Sequence, residues 1–178
     1  RLYAPRSTTV SKESVEYTHA PEIEAIARQL IRLYHPHLMK GVRIEYRFVS
    51  KTPRSGGKET WGTCRRVGGL HAQLASRPEI GDGGEVLGVE GAPFFCITIS
   101  HPIWDALDEA QQAALVDHEL CHASVDEEAD PDGDEPAKLS VRPHDLEEFA
   151  CVVRRHGLWR EGVQAFLAEC AAAGVEVE

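Results

Sequence analysis

Residues 118–122 read His118-Glu119-Leu120-Cys121-His122, and no other stretch of this 178-residue chain restricts its fold as much. Histidines four apart reach one cation together when the backbone between them is helical, because positions i and i+4 then share a face. Glu119 lies beside the first histidine but off that stripe, where it can reach water at the cation without binding the metal itself. The segment therefore predicts a helix. Asp108, with Gln111 three residues on, resembles a capping box that would start it, and the helix is expected to run to about Ser124. Ala110 and Ala114 lie on the same stripe and leave room ahead of His118. Two ordinary, satisfied histidines on an amphipathic helix are the alternative; the capped helix after a strand favours a metal site.

Two histidines do not complete a catalytic zinc site, which takes three protein ligands and a water. Candidates for the third lie downstream in His144-Asp145-Leu146-Glu147-Glu148-Phe149, read as opening the next helix near Pro143. His144 and Glu148 share a face there. Either could ligate while the other supports it from behind, and His144 is favoured because an imidazole in the first helical turn can point back.

Around this motif the pattern alternates between helix and strand. Residues 1–17 read as a loosely held arm, and residues 18–178 as one domain. Thr18 is expected to cap a helix with Pro21 in its first turn and Ile23, Ile26, Ala27, Leu30 and Leu33 on its apolar face; Pro36 ends it near His35. Residues 42–48 alternate as a half-buried strand. Residues 51–58, with Pro53, Gly56 and Gly57, read as a turn joining that strand in a hairpin to a weaker one at 60–67. A glycine-rich connection follows at 76–93, then the strongest strand, Phe94–Ser100. Residues 126–136 form an acidic loop, and the last helical region is expected to break at Gly157 before a final helix to about Ala173. The order predicts an α+β domain with a small, mostly antiparallel sheet packed on the motif helix and C-terminal helices.

Composition narrows the function classes. Formal net charge is -10, which disfavours a general nucleic-acid binder. The charge is uneven: residues 1–78 carry 14 Lys and Arg against 6 Asp and Glu, and the remainder 5 against 23. Lys40, Arg43, Arg47, Lys51, Arg54, Lys58, Arg65 and Arg66 gather on the expected hairpin, read as a solvated face, with docking of an acidic protein or nucleic acid as the sharper alternative. No apolar run is long enough to span a bilayer, and the opening residues do not resemble a secretory leader. The five cysteines lack CxxC spacing, which suits a reducing, cytoplasmic setting rather than a disulfide framework or a cysteine zinc site. Asp130, Asp132 and Asp134 resemble the start of a calcium loop, but Val141 at its twelfth position argues against one. Cys121 is read as a packed small hydrophobe. His19, His35, His37 and His71 show no ligand spacing.

DHELCHA at 117–123, HDLEEF at 144–149, RRHGLW at 154–159, IEYRF at 44–48, GKETWG at 57–62 and FFCITISHPIW at 94–104 together resemble the putative phage metallopeptidase family. That family is similar to SprT-like and ImmA/IrrE-type zinc peptidases of minimal zincin fold. The resemblance implies a zinc-dependent peptidase with His118 and His122 as ligands and Glu119 as catalyst; it implies no substrate. The expectation is limited cleavage of a protein partner, such as a repressor or phage protein, held extended against the strand at 94–100. A zinc-containing regulatory module without turnover, and a metal-dependent hydrolase of another bond such as RNA, are the alternatives. Oligomeric state is not legible.

Overall fold

The structure is a computed structural model and describes residues 14–39, 42–75, 79–80, 86–87, 92–126, 138–146, 150–159 and 161–175. Chain contacts divide it into two units, one ending at Val141 and one beginning at Arg142.

In the first unit, β1 (Tyr17–His19) leads into α1 (Pro21–Tyr34). Pro21 takes the first helical position, where a missing N–H costs nothing. Ala20, not Thr18, is the N-cap and gives no side-chain hydrogen bond, because Thr18 pairs with Phe48 in the sheet. Ile23 and Ala27 are buried, and the helix ends at His35, ahead of Pro36, as the proline requires.

Strands β2 (Ile44–Val49), β3 (Gly62–Val67) and β4 (Phe94–Ser100) complete a four-stranded sheet in the order β1-β2-β4-β3. Two of its three pairings are antiparallel; β2 and β4 run parallel, with Ile44 opposite Phe95. This corrects the expected hairpin. The turn exists, with Arg54–Ser55 pairing Lys58–Glu59 around Gly56 and Gly57, whose positive φ suits glycine. Beyond it the two longer strands part, and β4 enters between them. Phe95, Ile97 and Ile99 on β4 are fully buried, which a strand flanked on both sides allows. A short helix, α2 (Gly69–Ala75), follows β3 and has no counterpart in the sequence reading.

From β4 the chain turns through α3 (His101–Trp104), capped by Ser100, into α4 (Glu109–Cys121). The capping box is formed: the Gln111 amide donates to Asp108 Oδ1 at 2.8 Å, and the Asp108 amide donates to Gln111 Oε1 at 3.1 Å. Val116 and Leu120 on α4 join Ile23, Ala27, Tyr46, Phe48, Ile97 and Ile99 in one buried core. The helix ends sooner than Ser124. His122 is its C-cap, and at Ala123 the backbone enters β5 (Ala123–Asp126), which pairs antiparallel with β6 (Lys138–Val141). Asp130, Asp132, Asp134 and Lys40 lie outside the described residues.

The second unit holds α5 (Ala150–His156) and α6 (Glu161–Ala172), separated at Gly157, whose φ of 65° stops the first helix. His144 does not open a helix: residues 142–146 are irregular backbone. The expected helix start near Pro143 is thus not found among residues 142–146.

Candidate metal and catalytic site

The fold delivers the motif residues to three environments. His118 is exposed on the last turn of α4, and His122 is half-buried at its C-cap. Their ring centroids lie 5.1 Å apart with planes at 81°, as neighbours one helical turn apart can. Glu119 points the other way, into the protein, and is only 3% exposed.

What receives Glu119 is β3. Its carboxylate accepts a hydrogen bond from the backbone amide of Cys64 and lies against Gly62. Any side chain at Gly62 would overlap it: a Cβ there would sit 2.9 Å from Glu119 Cδ and closer still to an oxygen. Burial pushes the Glu119 carboxyl up to about 7, against the opposing pull of His122 and the Cys64 amide. The same enclosure, with Glu119 itself next in importance, pushes the Cys64 thiol up to about 12, so Cys64 stays a neutral thiol.

A cleft of about 510 Å³ opens in front of this group, lined by Glu59, Trp61, Gly62, Ala114, His118 and Glu119 among others. Ala114 keeps it open ahead of His118, as its place on the histidine stripe suggests. Trp61, half-exposed, gives it an apolar wall. The cleft runs beside β3, the outer strand on this side. The expected docking edge at 94–100 is therefore wrong: β4 is paired on both sides and has no edge to offer.

His144, in the second unit, is exposed. Glu148 lies outside the described residues. Two histidines passed over in the sequence bear on the motif helix instead. His35 is buried and its Nε2 lies 2.7 Å from Asp117 Oδ1, and His37 Nε2 donates to the Ala123 carbonyl at 3.2 Å. Both flank Pro36, where α1 ends. Cys121 is exposed, not packed as expected.

The basic cluster is less free than its count suggests. Glu45 accepts from Arg43 at 2.8 Å and from Arg47 at 2.7 Å, and the Arg43 guanidinium stacks 4.5 Å from the centre of the Phe94 ring. These contacts support a solvated face over a phosphate-binding one.

An HExxH helix packed on a small mixed sheet, with its glutamate buried against that sheet, defines the minimal zincin-like class. The family model described as putative phage metallopeptidase matches residues 15–170, and the chain belongs to that family. Comparison with curated proteins and with solved structures finds no match. Among the described residues no helix is long and apolar enough to cross a membrane.

Proposed function

We propose that the chain is a zinc-dependent peptidase that makes limited cuts in a protein partner. The observation that carries this reading is the buried Glu119 carboxyl, held against Gly62 at the back of a cleft with His118 at its mouth. The donor set fits zinc: two imidazoles one helical turn apart, with a carboxylate beside them and off their stripe.

His144 is the third ligand in this reading, with Glu148 as the alternative. Val141 pairs with Ala123, next to His122, and His144 follows three residues later, a reach of about 10 Å of extended chain. The β5–β6 ladder thus returns the chain to the end of the motif helix before His144 is reached. His144→Ala should then lower zinc affinity by orders of magnitude, and Glu148→Ala by only about 10–100-fold. Titration against a competing chelator measures both, and the reverse order would move the ligand to Glu148.

Bound zinc supplies Lewis-acid polarisation of a carbonyl and acidifies water. Glu119 does the proton work. Its carboxylate takes a proton from water, holds it on an oxygen that burial makes basic, and gives it to the leaving nitrogen. The Cys64 amide fixes the carboxylate during both transfers. The substrate lies extended along the Trp61 and Gly62 end of β3, with an apolar side chain against Trp61.

The experiment is digestion of a proteome-derived peptide library by the zinc-loaded chain, with new termini read by mass spectrometry. Wild type should generate them. Glu119→Gln, which keeps the shape but cannot accept a proton, should lose at least roughly 100-fold in rate while retaining zinc. No new termini from wild type, or equal cleavage by the variant, overturns the reading.

A further inference from the structure

One helix edge away from the HExxH stripe lies a second set of metal-ligating atoms. Asp117 and Cys121 are four apart on α4, as His118 and His122 are, but displaced by one residue, about 100° around the helix. His35, at the C-cap of α1, comes to meet them. A ring nitrogen of His35, a carboxylate oxygen of Asp117 and the sulfur of Cys121 all lie within 4.8 Å of one another.

We propose that His35, Asp117 and Cys121 form a second cation site, distinct from the HExxH histidines and suited to zinc. The donors are one nitrogen, one oxygen and one sulfur, a borderline set that matches a tetrahedral divalent ion of the zinc and cobalt kind better than calcium or magnesium. His35 is buried, so its ring is fixed by the packing of α1 on α4, and its nitrogen already lies 2.7 Å from Asp117 Oδ1. Cys121 is exposed and Asp117 half-exposed. Solvent therefore reaches the fourth position of a tetrahedron whose other three are protein atoms. Tetrahedral bonds to nitrogen, oxygen and sulfur need donors about 3.3–3.8 Å apart. From the present 2.7 Å, His35 and Asp117 would separate slightly to reach that spacing, and Cys121, already within 4.8 Å of both, needs only a side-chain adjustment.

An ion here would join the end of α1 to the last turn of α4, the turn that carries His118 and His122. Its role is structural: it would set the helix end on which the other site depends. The inference uses none of the residues of the proposed peptidase centre.

Cobalt(II) titration of the metal-free full chain tests it, because a thiolate ligand gives a near-ultraviolet charge-transfer band that imidazole and carboxylate ligands do not. Wild type should take up two equivalents, one of them producing the band. His122→Ala should keep the band and lose the other equivalent. Cys121→Ser, a conservative change at an exposed position, should lose the band and one equivalent, and His35→Gln should do the same. No thiolate band in wild type, or a band that survives Cys121→Ser, overturns the second site. Loss of the other equivalent's binding in wild type, with the band intact, would instead count against the HExxH centre and leave this site standing.

Discussion

Gly62 and Glu119 are fitted to each other by space alone, and the fit can be tested from either side. Gly62→Ala should push the Glu119 carboxylate off β3, costing about 1–3 kcal/mol, as overpacking does. A thermal-melt comparison should show the loss, and under the proposed mechanism peptide cleavage should fall with it, since the Glu119 carboxylate is displaced. The buried carboxyl also gives a pH signature to the metal-free chain. Its folded pKa is raised from 4.5 to about 7, so the folded state holds the proton more tightly than the unfolded one. The stability this contributes is fully present below pH 4.5 and is lost as the pH rises through about 7, amounting to about 3 kcal/mol. Denaturant melts of wild type and Glu119→Gln, each free of metal, should diverge by that amount between pH 4 and 8, wild type losing ground as the pH rises. Parallel curves would mean that the carboxyl is not enclosed. That His118 and His122 stand one helical turn apart was legible from their spacing, because i and i+4 geometry is local. The burial of Glu119 was not, because it depends on a glycine far away in the chain whose importance is only that it lacks a Cβ.

At the level of elements, α4 depends on its start. Asp108 and Gln111 satisfy two amide groups that the helix itself leaves unpaired. Asp108→Ala should cost about 1 kcal/mol, visible as a lower melting temperature, with zinc uptake unchanged because the histidines sit three turns away. That box could be read directly, since its chemistry spans four residues. So could β4, whose β-branched and aromatic run suits a central strand with one fully buried face. The order of strands could not. A Pro- and Gly-bearing turn between two alternating segments signals a hairpin, and the signal was locally right: Arg54–Ser55 and Lys58–Glu59 do pair. What decided the larger arrangement was the need to bury Phe95, Ile97 and Ile99, which placed β4 in the middle. The short helix α2 carries two exposed leucines, Leu70 and Leu74, and so lacks the apolar stripe by which a helix is recognised. His35 escaped notice for a related reason. Its partner, Asp117, lies 82 residues on, and no spacing rule covers such a distance.

For the molecule as a whole, the α+β class followed from the order of segments, and the family model over residues 15–170 agrees with it. The lopsided charge was legible as well, and so was the shared polar face of Arg43, Glu45 and Arg47, since strand alternation is local. The parallel pairing of β2 with β4 carries a consequence for how the chain acquires its shape. Ile44 and Phe95 stand opposite each other in the sheet, although they are 51 positions apart. Closing so long a loop loses chain entropy before any contact rewards it. The β2–β4 junction is therefore expected to close late, and the β3 pairing depends on it because β3 pairs with β4. Glu119 finds its enclosure against β3 after that step. The histidine pair at the end of α4 is a local feature and can form early, whereas the enclosure of Glu119 waits until the sheet is closed.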